Sequence, residues 1–494
     1  MATQRIEFTE WTPDQPSVIK NLAYTYNVIP AIVGYIPFPK AVDYSTAASE
    51  NLKSVFAGRF SSTTVVFGGG ETKLFRFNPS TLGLDNVSKA GNYVGVEKWN
   101  FIQFGDSVIA ANNINKLQSF TLGSSSTFND LSADAPIAEY VTVVRDFVVA
   151  ANLDNGSNAN KVQWSDINDE TNWTSGAASQ SDFQIIPDGG NIHGITGGEF
   201  GLVLLDRAVV RMSYIGSPYF FQFDTISKGI GCIEGNSVTK YGNTTYFLGE
   251  DGFYSCDGTT VTPIGNEKID RWFWNKVNPA KLANMSATTD PSKKVVVWNF
   301  ETNFAKRGVM IFNWQVNRWS YGETDATVVA TSASSGKTLE TLDYNYIVNA
   351  GSFTVGKQYT ITALGTTNWQ AIGAMTDAVV GTRFTATGAG SGTGTAIDLA
   401  VAASYGYTLD TMTSSLDSTL YTGGRTMFAG ARNANIITFT GQPSPAQIDT
   451  GSFGSETTSV VTLARPIVDD GSAMVAIKSR TMLNQTVDYG EYIA

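Results

Sequence analysis

Residues 246–255 read Tyr-Phe-Leu-Gly-Glu-Asp-Gly-Phe-Tyr-Ser, and this stretch decides the fold class. Two runs rich in aromatic and other strand-forming residues flank the Asp251-Gly252 pair. An Asp-Gly pair between such runs is typical of a tight turn that connects two antiparallel strands. The stretch therefore predicts a β-hairpin.

The same arrangement of strand-like runs and turn residues recurs on both sides of this hairpin. Strand-like groups begin near Lys53, Trp99, Val141, Ile192, Ser237 and Ala283. Successive groups start about 40 to 50 residues apart, the spacing expected for the four-stranded blades of a propeller. The sequence therefore predicts an all-β fold, a β-propeller of about six blades. A β-sandwich, or several stacked sandwiches, would also contain many short strands and stays open as an alternative.

The composition is poor in charge. Charged residues make up 16% of the 494 residues, and hydrophobic residues make up 42%. The charged share is well below the roughly 25% usual in soluble proteins, so uncharged polar groups or neighbouring subunits must cover much of the surface. The net charge of −11 argues against ordinary nucleic-acid binding, because binding phosphates requires clustered Lys and Arg.

The sequence contains no obvious targeting or membrane-spanning segment. The N-terminus lacks the basic start and apolar run of a signal peptide, and no apolar run approaches the ~18 residues that span a bilayer. We therefore expect that the protein does not insert into a membrane. We also expect that it assembles in a cytoplasm. The two cysteines, Cys232 and Cys256, form neither a disulfide framework nor a zinc site, so we predict that both are reduced and buried.

Residues suited to catalysis are scarce. His193 is the single histidine, which excludes metal sites with several histidines and leaves one residue as the base of any Ser-His-Asp triad. Residues 165–173 are the nearest match to the sialidase Asp-box, but they have the wrong spacing and no glycine. Asp166, Asp169 and Glu170 could form an acid/base pair or bind Ca²⁺, although a solvated acidic turn explains them more simply. We predict no enzyme and no catalytic, cofactor-binding or metal-binding residue.

The pattern of strands is interrupted in two places. Residues 266–277 have helical spacing of apolar positions, with Asn266 as the predicted N-cap, and their aromatic side chains are expected to pack between blades or against a neighbouring subunit. After residue 321 the amino-acid composition changes. We predict a propeller with an N-terminal segment over 1–325, a small inserted β module over 340–400, and over 401–494 a C-terminal β segment that completes an additional β platform or the propeller.

Several short segments, in order along the chain, resemble the packaged-DNA stabilisation, or tail nozzle, proteins of short-tailed bacteriophages. The segments are residues 11–14, 27–30, 34–39, 162–166, 197–201, 211–216, 251–254, 263–270, 415–418, 421–424 and 465–471. The resemblance covers most of residues 5–325 and 405–475, and the order of the segments is more specific than any one of them. Residues 346–396 look like a small β module that recurs in marine phage and cyanophage structural proteins.

This resemblance implies a structural virion protein of a phage tail. The implied assembly is a homohexameric ring, a nozzle below the portal and the head-to-tail adaptor protein, which retains packaged DNA and conducts it during ejection. The implied partners are the adaptor, tail fibre, spike or needle proteins, and translocating double-stranded DNA without sequence-specific binding. The implied location is the virion tail, after assembly in the bacterial host cytoplasm. One alternative is a tail module that binds a host receptor or glycan, and another is a carbohydrate-active propeller enzyme.

Overall fold

The computed structural model describes residues 6–16, 21–61, 63–79, 81–333, 347–398, 426–451, 467–468, 473–479 and 488–489. Most of these residues lie in short antiparallel strands. The chain begins with β1 (Leu22–Tyr26), β2 (Val28–Pro30), β3 (Tyr35–Pro37) and β4 (Val42–Asp43). The family-like segments 415–418 and 421–424, and most of 465–471, lie outside the described residues.

Six consecutive parts of the chain then each form a four-stranded antiparallel sheet, here called a blade, whose strands follow one another in sequence order. The first three blades are β5 (Ser54–Phe60), β6 (Thr63–Gly69), β7 (Leu74–Asn78) and β8 (Gly83–Asn86); β9 (Asn100–Phe104), β10 (Ser107–Ala111), β11 (Gln118–Thr121) and β12 (Asn129–Asp130); and β13 (Ala138–Val144), β14 (Phe147–Leu153), β15 (Asn158–Trp164) and β16 (Asp182–Ile185). The next three are β17 (Ile192–Thr196), β18 (Gly201–Leu205), β19 (Ala208–Gly216) and β20 (Phe220–Lys228); β21 (Thr239–Tyr241), β22 (Thr244–Leu248), β23 (Phe253–Cys256) and β24 (Val261–Pro263); and β25 (Ser286–Asp290), β26 (Val295–Glu301), β27 (Arg307–Asn313) and β28 (Arg318–Thr324).

A seventh blade closes the ring from distant parts of the sequence. Its strands, in spatial order, are β29 (Val328–Ala333), β34 (Thr426–Arg432), β35 (Asn435–Thr438) and β4. Val329 N donates to Ser286 Oγ of the sixth blade at 3.0 Å, and Leu52 N, beside the first blade, donates to Asn433 O at 2.8 Å. The outermost strand thus comes from the N-terminus, which ties the two ends of the propeller together.

The predicted all-β propeller is confirmed. The described residues form seven blades, one more than the predicted count of about six. The seventh blade escaped the prediction because its strands are not contiguous, so no block of about 40 residues marks it. The hydrophobic core lies between the blades: Trp164 of the third blade, for example, packs with Met212 and Phe221 of the fourth.

The inserted module lies between the first two strands of the seventh blade. It consists of β30 (Ile347–Asn349), β31 (Gln358–Ala363), β32 (Arg383–Thr385) and β33 (Thr395–Asp398), which pair in the order β30-β33-β31-β32. Its core is its own, with Phe353, Tyr359, Trp369 and Phe384 packed together. The seventh blade therefore has strands on both sides of the module and of the predicted boundary at residue 325.

An additional β layer lies against the sixth blade. β1 pairs with β36 (Gln447–Thr450), and β2 pairs with β3. Both β1 and β2 contact the outer strand β28, and Trp11 packs edge-on against Trp272 with ring centroids 5.0 Å apart. We call residues 6–16 and 21–43 the N-terminal arm. The last described strands, β37 (Lys478–Ser479) and β38 (Asp488–Tyr489), pair with each other.

The predicted helix is shorter than expected. Helix α1 spans Asp270–Lys276 and has Ile269 at its N-cap position, so the predicted cap at Asn266 is wrong. The cap comes from the N-terminal arm instead: the Asp14 carboxylate accepts hydrogen bonds from Arg271 N and Trp272 N, each at 2.8 Å. Long-range packing therefore supplies the cap that local sequence predicted at another residue.

Candidate functional site

A group of interacting ionisable side chains that no sequence motif indicates lies at one mouth of the central channel. The first strands of the blades surround this channel, and most neighbouring first strands contact one another. Lys98 lies two residues before β9, and Glu234 lies in the segment that leads into β21. Glu139 and His193 are the second residues of β13 and β17. Equivalent positions in successive blades converge on the channel axis, so these residues meet although they are far apart in sequence.

Lys98 spans the mouth of the channel. Its Nζ donates a hydrogen bond to the carbonyl oxygen of Met285 at 3.1 Å. Lys98 belongs to the start of the second blade and Met285 to the start of the sixth, which are not neighbours in the ring. The side chain must therefore cross the opening, and we call it the channel bridge.

Burial dominates the electrostatics of the channel bridge. Desolvation lowers the pKa of Lys98 from 10.5 to about 8, partly opposed by the attraction of Glu234 and reinforced by the charge of Arg307. Desolvation also raises the pKa of Glu234, against the effects of the Asn236 backbone N–H and of Lys98. Each group thus loses more by leaving water than the opposite charge of the other returns, as is common for buried charges.

Glu139 forms the second part of the cluster. Its Oε2 accepts hydrogen bonds from Asn152 Nδ2 at 2.6 Å and from Asn113 Nδ2 at 3.3 Å. Desolvation raises the pKa of this carboxyl group, and Tyr140, His193 and Asn152 act in the opposite direction. The carboxylate of Glu139 therefore links the second and third blades by hydrogen bonds and the fourth blade by charge.

His193 is held by a carboxylate of its own blade. Its Nε2 lies 2.6 Å from Asp206 Oδ1, and Asp206 Oδ2 accepts a hydrogen bond from Asn191 N at 2.7 Å. This arrangement fixes the imidazole against the turn between β18 and β19. Within the described ranges, no group of three or more His, Cys, Asp or Glu side chains is arranged to hold a metal ion.

The acidic segment after β15 uses its carboxylates to order its own backbone. Asp166 Oδ1 accepts hydrogen bonds from Ile167 N at 2.9 Å and Gln180 N at 2.8 Å. Hydrogen bonds from Thr171 lower the pKa of Asp169, and Glu170 Oε1 accepts one from Ser107 Oγ at 2.8 Å. The three carboxylates thus have separate structural partners, which supports the interpretation as an acidic turn.

The two cysteines are unpaired. Both are buried, as the sequence predicts. They lie in the hydrophobic cluster between the fourth and fifth blades. Desolvation raises the pKa of Cys232 to about 12 and that of Cys256 in the same direction. A thiol with a raised pKa is a poor nucleophile at neutral pH.

Sequence reasoning missed Lys98, Glu139 and Glu234 as members of one site. Each is an isolated charge with no motif around it. Lys98 and Glu139 lie within two residues of the start of a first strand, whereas Glu234 lies five residues before β21. A comparison of the blade starts would therefore have pointed to Lys98 and Glu139, but not to Glu234.

No family model matches the chain, and no curated protein matches it. Among solved structures, the extracellular domain of a hybrid two-component system from B. thetaiotaomicron has a TM-score of 0.38 at 10% identity, over 57% of this chain and 35% of that one. A chain of the mitotic checkpoint complex has a TM-score of 0.38 at 11% identity, over 60% and 88%. A computationally designed protein has a TM-score of 0.36 at 10% identity, over 66% and 93%.

The present chain spans about a third of the length of the first of these structures, with a coverage of 35%. The similarity of these structures to the present chain is too low to indicate a function for it. The fold and the channel cluster define a β-propeller protein in which a lysine bridges the mouth of the channel. Over the described part of the chain, no helix is long and apolar enough to cross a membrane.

Proposed function

We propose that this protein is a non-enzymatic structural subunit of a short-tailed bacteriophage. In this proposal its copies form a nozzle ring below the portal and adaptor, retain packaged DNA and conduct it during ejection. Assembly takes place in the host cytoplasm, and the adaptor and the fibre, spike or needle proteins are its neighbours in the virion tail. The ordered resemblance of residues 5–325 to tail nozzle proteins supports this assignment.

The observation that carries the proposal is the apolar surface of the N-terminal arm. Its large exposed side chains are Ile6, Phe8, Ile32, Val33, Ile36 and Val42, with exposed fractions from 42% to 88%. Ile32 and Val33 lie at the tip of the β2–β3 hairpin, where they are 66% and 88% exposed. Exposed large apolar side chains such as those at this hairpin tip are typical of a surface that another subunit covers.

The channel bridge bears on the path of the DNA. A single lysine side chain reaches from the second to the sixth blade, so the propeller channel is far too narrow for a DNA duplex. In the proposed assembly the DNA passes through the lumen between subunits. The net charge of −11 per chain suits such a lumen, because acidic walls repel phosphates and do not retain them.

Native mass spectrometry of the full chain tests whether it forms a ring. The double variant Ile32→Asp/Val33→Asp places two charges on the arm surface, and Val94→Asp is the control, because Val94 is 79% exposed outside the arm. We expect a closed oligomer for the wild type and for Val94→Asp, and monomers for the double variant.

Cryo-electron microscopy of the particles of the phage that encodes this protein then tests where the protein lies. A ring at the tail channel supports the proposal. A chain that stays monomeric with the adaptor present, or that is absent from the virion, contradicts it.

A further inference from the structure

A cleft lies between the fifth and sixth blades, away from the channel cluster. Its volume is about 360 Å³, near the lower end of the range for small-ligand sites. Tyr246 and Trp314 contribute aromatic rings to its lining, and Ser255, Thr262, Asn266 and Asn317 contribute hydroxyl and amide groups.

The aromatic wall of the cleft is held in place by stacking. Trp314 lies in the turn between β27 and β28, and its ring stacks on Tyr241 at a centroid distance of 4.8 Å and an interplanar angle of 27°. The ring of Tyr246 lies 6.4 Å from Trp314 at the same interplanar angle of 27°. Tyr246 is buried and Tyr241 is 38% exposed, so the stack runs from the core to the surface. A ligand would therefore meet a wall that needs no reorganisation.

The polar groups of the cleft are available for a ligand. Among the described residues, the side chains of Ser255, Thr262, Asn266 and Asn317 have no hydrogen-bond partner. The two amides offer both donors and acceptors, and the two hydroxyls can act as either. A ligand with many hydroxyl groups matches such a set.

Among the described residues that line the cleft, none carries a free positive charge. The one cation that lines it, Lys268, has its Nζ 2.6 Å from Glu10 Oε1 and donates a hydrogen bond to Asn317 O at 3.0 Å. An anionic ligand would need an unpaired cation, and a purely apolar ligand would leave the amides without partners, which is costly. The lining thus favours a neutral ligand with both apolar and hydroxyl-bearing surfaces.

We propose that this cleft binds a neutral saccharide. The C–H groups on the face of a sugar ring would pack on the aromatic wall, and its hydroxyl groups would bond to Asn266, Asn317, Ser255 and Thr262. The site is independent of the proposed ring, since it depends on the fifth and sixth blades of a single chain.

Isothermal titration of the full chain with maltohexaose, cellohexaose and mannohexaose tests the proposal, with oligogalacturonate as the acidic comparison. Trp314→Ala removes part of the wall. Asn317→Gly removes an amide at a residue whose φ of 53° glycine adopts freely. Asn92→Gly is the matched control, because Asn92 is exposed with a φ of 58° in a distant loop.

We expect at least one neutral hexasaccharide to bind. Its affinity should fall about tenfold or more in Trp314→Ala, severalfold in Asn317→Gly and not at all in Asn92→Gly, with unchanged thermal midpoints for the two glycine variants. Binding of only oligogalacturonate, binding that survives both cleft variants, or no binding by the folded wild type would overturn the proposal. Native mass spectrometry of the same samples reports ring formation separately, so either idea can fail alone.

Discussion

Replacing the channel bridge by a neutral chain of similar length should stabilise the protein at neutral pH. In Lys98→Met the apolar stem is kept and the buried ammonium group is removed. The pKa of Lys98 falls from 10.5 to about 8 on folding, and one pKa unit corresponds to about 1.4 kcal/mol, so the penalty is roughly 3 kcal/mol at most. Lys98 is only half-buried. Solvent screening, the loss of its attraction to Glu234 and the loss of its hydrogen bond to Met285 O reduce the expected gain to about 1 kcal/mol.

The pH dependence of the stability is an independent check that Lys98 destabilises the folded protein. Because the folded pKa lies below the unfolded pKa, both states are protonated below pH 8, and the penalty is fully present there. As the pH rises from 8 towards 10.5, the folded protein releases the proton before the unfolded chain does, so the wild type regains stability. The advantage of Lys98→Met should therefore be larger at pH 7 than at pH 9.5.

Urea denaturation at these two pH values measures the effect, with Lys281→Met as the control, because Lys281 is exposed. We expect the control to change stability by less than about 0.5 kcal/mol at both pH values. A Lys98→Met variant that is less stable than the wild type at pH 7, or whose advantage is equal at both pH values, would refute the reasoning. The channel bridge would then be a net stabilising contact rather than a desolvated charge.

Three further predictions concern the hairpin at residues 246–255 and the helix beside it, all measurable by denaturation. Gly252→Ala should destabilise the folded protein by about 2–4 kcal/mol, because φ is +151° and the new Cβ would lie 2.0 Å from Asp270 Cγ. The control is Gly242→Ala, where φ is +58° and no atom lies within 4 Å of the new Cβ, so it should destabilise the protein by only about 1 kcal/mol. Asp14→Ala should lower the free energy of unfolding by about 1–2 kcal/mol, because α1 loses its cap. An unchanged denaturation midpoint would exclude a capping role for Asp14. Burial raises the pKa of Asp270 from 3.8 to about 7, so the wild type should lose stability as the pH rises from 3.8 to 7. Asp270→Asn should therefore stabilise the protein more at pH 8 than at pH 5. An equal effect of the substitution at the two pH values would contradict the raised pKa.

Local sequence predicted the hairpins well. Residues 246–255 form the β22–β23 hairpin around Asp251-Gly252. The predicted start near Ile192 coincides with the first residue of β17, and the starts near Lys53 and Trp99 lie one residue before β5 and β9. These features are local because side-chain alternation and turn residues act over a few neighbouring positions.

Local sequence determined the fold class through the hairpins, together with their spacing and the scarcity of charge. Only the tertiary structure decided the seventh blade, in which Asp43 pairs with Ile437, and the cap that Asp14 provides to α1. It alone brought Lys98 to Met285 across the channel. The physical reason is that these contacts join residues that are distant along the chain, and their partners are set by how the blades close into a ring rather than by any nearby residue.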